Sequence, residues 1–97
     1  MLWIVVRHKV KDYAVWKPLF DTDIPEQKAA GLQIMEIDRN VDDPSELFLV
    51  FQAEDLAKAK AFYADPRLKE VMIKGGVADE PSLFFMETVE SYMKPPA

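Results

Sequence analysis

Cysteine is absent from this chain, which excludes disulfides, thiolate nucleophiles and cysteine-ligated metals. Histidine occurs once, as His8, so no histidine cluster exists to ligate a metal. Glycine is scarce, with 3 residues, and neither a G-x-G-x-x-G fingerprint nor a phosphate-binding P-loop can be drawn through them. Basic residues are outnumbered: 12 Lys and Arg face 17 Asp and Glu, a net charge of −5. That balance disfavours nucleic acid and anionic membrane surfaces, which are both bound through clustered cations. Long apolar runs are missing too. The N-terminal run from Met1 to Val6 is too short to cross a bilayer, and it lacks the basic start and cleavage site of a secretory leader. A cytoplasmic protein is expected, with no nucleic-acid or membrane partner. No internal repeat or low-complexity segment is present.

What remains is the composition of a small globular domain. Of 97 residues, 49% are hydrophobic and 11% aromatic, enough for one core but not for two. One domain is expected over residues 1–90, with a flexible tail at 91–97 that contains Pro95 and Pro96.

The segment Leu2 to Val10 is rich in Val, Ile and Trp and reads as a strand that is apolar on both faces. Asp12 offers a helix cap, and Tyr13, Trp16 and Phe20 fall on one helical face. Pro18 should kink that helix. Asp23 and Glu26, with Pro25 between them, form a D-x-x-E cap pattern that restarts a helical turn, ended by Gly31. Leu32 to Arg39 is a second strand by alternation, with Leu32 and Ile34 on one side and Met35 and Ile37 on the other. A turn around Asp43-Pro44 leads to a third strand, Leu47 to Gln52. Asp55 caps a second helical region carrying Leu56, Ala59, Phe62 and Tyr63. It breaks at Asp65-Pro66, resumes with Leu68, Val71 and Met72, and closes at Gly75-Gly76. Ser82 to Val89 is the last strand.

The order β-α-β-β-α-β predicts an α+β protein of the ferredoxin-like kind, with a four-stranded antiparallel sheet and both helical regions on one face. The runs "LFLVF" at Leu47 to Phe51 and "LFFM" at Leu83 to Met86 are apolar throughout. The sheet face without helices should therefore be covered, and a second copy of the chain, related by a two-fold axis, covers it most simply.

With these elements in place, the chain resembles a family. "HKVKDYAVWKPLFD", "RNVDDPSELFLVF" and "AFYADPRLKEVMIKGGV" are similar to segments of the dimeric α+β barrel superfamily, in its antibiotic-biosynthesis-monooxygenase-like and small cyclase-like branches. The resemblance runs from about Met1 to Val89 and points to small bacterial members with no assigned activity. It implies a homodimer and a ligand cavity between sheet and helices. The haem-degrading relatives ligate iron through a histidine on the second helix. None lies between Asp55 and Lys74 here, so no haem is expected. No other cofactor or metal is expected either.

Several residues could carry chemistry. His8 can move a proton near neutral pH or can simply end a strand bonded to a backbone carbonyl. Arg39 could hold a carboxylate or an enolate oxygen, or pair with Asp38, Asp42 or Asp43 at the surface. Trp16, Phe20, Phe62 and Met72 could line a substrate pocket or be plain core. The acidic set Asp38, Asp42, Asp43 and Glu46 lacks the spacing of a calcium loop and reads as a solvated turn. The resemblance favours a cofactor-independent monooxygenase or a cyclase/isomerase acting on a small apolar substrate, with His8 and Arg39 as catalytic groups. A non-catalytic small-molecule binding or sensing module, and a structural dimerisation domain, stay open beside it.

Overall fold

A computed structural model describes residues 1–93. The larger part of the expected tail, 94–97, lies outside the described residues. The chain runs β1 (Leu2–Lys9), α1 (Tyr13–Thr22), α2 (Ile24–Ala29), β2 (Leu32–Arg39), β3 (Glu46–Ala53), α3 (Leu56–Ala64), α4 (Pro66–Lys74) and β4 (Ser82–Glu87). The strands form one antiparallel sheet in the order β2-β3-β1-β4. This is the ferredoxin-like α+β arrangement, with each helical layer divided in two.

Strand periodicity sorts the residues onto two faces. On the helix-covered face of β1, Ile4, Val6, His8 and Val10 are buried, and Leu47, Leu49, Phe51 and Ala53 of β3 lie beside them. Fully burying each large aliphatic side chain stabilises the fold by about 1.5–3 kcal/mol, so this face anchors the domain. Trp16 of α1 and Ala59 of α3 close the core from above. The opposite face carries Trp3 and Val5, Phe48 and Val50, and Phe84 and Met86, paired across β1, β3 and β4. Phe84 is 53% exposed and Met86 44%. The helix-free side of these three strands is thus apolar and open. Below this apolar band, Arg7 bridges Glu46 and Asp79, its Nη1 lying 2.7 Å from the Asp79 carboxylate.

Local chemistry explains most boundaries. Asp12 caps α1 by accepting from the Ala14 N–H, and Asp55 caps α3 by accepting from Lys58. Asp65 accepts from the Arg67 N–H and so starts α4, with Pro66 at a position where no N–H is needed. Gly31 turns the chain from α2 into β2 at φ +77°, a conformation glycine adopts freely.

Three expectations are corrected. α1 runs through Pro18 to Thr22, and the break falls at Asp23 instead. Asp23 makes no side-chain cap: its backbone stays helical, at φ −90° and ψ −7°, which does not aim the carboxylate at the next turn. The third correction concerns β2. Its register against β3 shifts between Ile34 and Glu36, so Met35 is the extra residue of a β-bulge. Ile37 therefore returns to the core face opposite Leu49, and the outward positions are Gln33, Glu36 and Asp38. The apolar band of the helix-free face stops at β2 for this reason.

Candidate functional site

Between the sheet and the helices lies a small cavity of about 50 Å³. Its floor is Val6 and His8 of β1 with Leu49 and Phe51 of β3, and its walls come from all four helices. Trp16, Phe20, Phe62 and Met72, singled out by helical spacing, all line it together with His8. The rings form a continuous array. Trp16 stacks on Phe20 with centroids 4.9 Å apart, Phe20 meets Phe51 at 6.4 Å, and Phe51 meets Tyr63 at 6.2 Å.

Three buried polar atoms have no hydrogen-bond partner among the described residues: His8 Nδ1, Gln27 Oε1 and the Tyr63 hydroxyl. All three belong to residues lining the one cavity. His8 is 1% exposed and Gln27 3%. Buried polar groups are paired in nearly all folded proteins, and each one left unpaired costs about 1–3 kcal/mol. Three residues with orphaned polar atoms around one cavity mark it as the place where a polar partner is wanting.

The electrostatics follow from burial. Desolvation lowers the His8 pKa below 6.5, outweighing the raising pull of its own main chain and of the nearby Asp79 charge, so the imidazole is held neutral. Burial and then the Asp23 charge push the Tyr63 phenol upward, which keeps its proton on the oxygen as a donor. Asp23, at the cavity's edge, is raised by desolvation and secondarily by Glu26. Among the described residues no Lys or Arg lines the cavity, and Asp23 is the one carboxylate that does.

Arg39 is not brought to this place. The bulge at Met35 puts it on the helix side of β2, opposite Leu47, where its guanidinium stands over the Tyr13 ring at 5.3 Å. Arg7 lies on the other face of the sheet. Among the described residues, no group of His, Asp and Glu is arranged to hold a metal. The acidic turn is internally satisfied: Asp43 accepts from both the N–H and the hydroxyl of Ser45, and Glu46 accepts from Asn40 and Arg7.

Sequence reasoning missed Gln27, Asp23 and the hydroxyl of Tyr63 as site groups. Tyr63 was legible as part of the apolar face of α3, and its polar tip was the available signal. Gln27 gave none, because a glutamine on a short helix is ordinarily solvated.

No family model matches the chain, and no curated protein matches it. Solved structures do. A protein of Bordetella bronchiseptica, provisionally named an antibiotic biosynthesis monooxygenase, superposes with a TM-score of 0.75 at 16% identity, over 92% of this chain and 97% of that one. A likewise provisionally named protein of Caulobacter crescentus gives 0.69 at 16% identity, over 92% and 90%. A Mycobacterium tuberculosis protein gives 0.66 at 12% identity, over 95% and 98%. At such identities the likeness is one of fold: this chain has the ferredoxin-like α+β fold of the antibiotic-biosynthesis-monooxygenase-like proteins.

Proposed function

We propose that the chain binds a small, uncharged, largely apolar molecule in the cavity between sheet and helices and moves a proton on it without a cofactor. The observation that carries this reading is that His8, Gln27 and Tyr63, each with an unpaired buried polar atom, line one aromatic cavity. Gln27 Oε1 can only accept, so it calls for a hydroxyl donor. The Tyr63 hydroxyl donates to a carbonyl oxygen. Neutral His8 accepts a proton from the carbon beside that carbonyl, giving an enolate and an imidazolium. The Tyr63 O–H then steadies the enolate oxygen. Return of the proton to a different carbon is an isomerisation, and it closes the cycle with nothing consumed.

The names carried by the structural neighbours suggest an oxidative branch of the same chemistry. Dioxygen would be the second substrate: an activated CH2 becomes a carbonyl, one oxygen atom enters the product, and the other leaves as water with both hydrogens. Arg39 has no part in either route, since it does not reach the cavity. The absence of a cation from the lining favours a second reading, a non-catalytic binding module, because an enolate here would lack a charge partner.

A second copy of the chain is the proposed partner, seated on the helix-free face through Trp3, Phe48, Phe84 and Met86. An exposed apolar band of this kind is what such an interface requires.

The test uses 2-tetralone, an uncharged enolisable ketone. Solvent deuterium should enter its α-carbons faster with the protein than with buffer, and His8→Ala should abolish the acceleration while retaining binding. Binding without acceleration in the unmodified protein leaves the binding module. Failure of both 2-tetralone and 2-naphthol to bind overturns the site itself.

A further inference from the structure

The inner cavity is too small for the ligands its walls suit. At about 50 Å³ it is a third of the ~150 Å³ cavity that accepts benzene, so it holds a head group of a few atoms and no ring. Two larger spaces flank it. A cleft of about 490 Å³ lies between α4 and the 77–83 segment, and a hollow of about 200 Å³ lies between α4 and Asp23 with Glu26. Leu68 of α4 lines all three spaces. Tyr63, Leu68 and Met72 wall the inner cavity from the cleft, and Phe62, Leu68 and Val71 wall it from the hollow.

α4 is held unevenly. None of its residues is buried, and it packs on α3 more than on any strand. The segment after it is tied down. The Lys11 N–H donates to the Gly76 carbonyl at 2.9 Å, the Ala78 N–H donates to Lys9 at 2.7 Å, and Val77 bridges Val10. Gly75 lies so close to Trp16 that a Cβ would sit 3.3 Å from its ring. Gly76, at φ +81°, occupies a conformation open to glycine. At the other end, among the described residues, the Asp65 carboxylate bonds to Arg67 of the same helix and gives α4 no side-chain tie to the sheet there.

Resting on the pocket reading above, we propose that α4 is a lid that lifts about Gly75–Gly76 and merges the inner cavity with the flanking spaces, so that the site takes a two-ring, uncharged, hydroxylated molecule. The polar head reaches His8, Gln27 and Tyr63, and the apolar rings replace the wall of Leu68 and Met72. The merged volume falls in the range of ordinary ligand sites, ~300–1,000 Å³. The charges select the class. Asp23, Asp65, Asp79 and Glu80 border these spaces against Lys69 and Arg67, so an anion gains little there.

The test is amide hydrogen exchange on the full chain with and without 2-naphthol, read beside the indole N–H signal of Trp16, assigned with Trp3→Phe. In the free protein, α4 amides should exchange faster than those of α3. Saturating 2-naphthol should slow them by about tenfold or more, as binding favours closure over the ligand. Leu68→Ala should speed exchange in α4 while leaving α1 and α3 unchanged. If Trp16 shifts on binding and α4 exchange does not change, the lid is overturned and the pocket stands. If Leu68→Ala speeds all helices alike, α4 opens only with the whole fold, and the lid is again overturned. If Trp16 does not shift at all, the pocket reading falls and the lid with it.

Discussion

His8 meets Trp16 edge to face across the cavity, ring centroids 5.7 Å apart and planes inclined at 69°. A neutral imidazole tolerates that apolar contact, and a charged one would lose its hydration there. The consequence is a dependence of stability on pH. The unfolded histidine titrates near 6.5 and the folded one below it. Above 6.5 both states are neutral and the contribution is fully present. As pH falls, the unfolded chain takes up a proton that the folded chain resists, so stability drops until the lowered folded pKa is passed. Urea melts between pH 7.5 and 5 should show this decline, and His8→Asn should flatten it. An equal decline in both proteins would refute the assignment to His8.

Tyr63→Phe should not destabilise the fold. The hydroxyl has no partner among the described residues, so its removal relieves an unsatisfied buried group and leaves the packing with Phe51, Phe62 and Phe85 intact. Chemical denaturation should give a stability equal to the parent's or higher by up to about 1 kcal/mol. Ligand affinity should fall about tenfold, the worth of one buried hydrogen bond. A loss of more than about 1 kcal/mol in stability would mean that the hydroxyl is a structural group.

Phe84→Lys should separate the proposed dimer. Phe84 is half-exposed in the single chain and stands beside Val5 on β1. Sedimentation at micromolar concentration should give twice the 11.1 kDa chain mass for the parent and the chain mass for the variant. A parent that sediments as a single chain would contradict this interface.

Deleting Met35 should be tolerated, although the residue lies inside a strand. Without it, Leu32, Ile34, Ile37 and Arg39 alternate regularly with Gln33, Glu36 and Asp38, and every side chain keeps its present face. Deleting Asp38 leaves the bulge and turns Arg39 outward, away from the Tyr13 ring. Thermal melting should place the first deletion near the parent. The ring-proton resonances of Tyr13 should move only in the second, as the guanidinium leaves its face. An unfolded Met35 deletion would contradict the bulge.

The sequence made the sheet legible because its strands stand out as short apolar runs such as "LFLVF", and the order of strands and helical regions fits one topology. It misread β2 because one inserted residue inverts the alternation after it, and nothing in "QIMEID" marks Met35 as the extra one. The same inversion brings Arg39 onto the face of His8, but Leu47 of β3 stands between them, and the guanidinium lies over the Tyr13 ring instead. The aromatic half of the cavity was legible, since Trp16 and Phe20 fall at helical spacing. The polar half was not. Gln27 and Tyr63 come to line the same cavity as His8 only through the packing of helices on the sheet, a long-range fact that local pattern does not encode.

The most direct test of the ligand site exploits the single histidine. In uniformly ¹⁵N-labelled protein the imidazole resonances belong to His8 alone. Titration with 2-naphthol should shift the His8 Nδ1 resonance as its orphan atom gains a hydrogen bond, and Gln27→Leu should raise the concentration needed. An Nδ1 resonance that stays fixed while the ligand binds would place the ligand elsewhere and contradict the site.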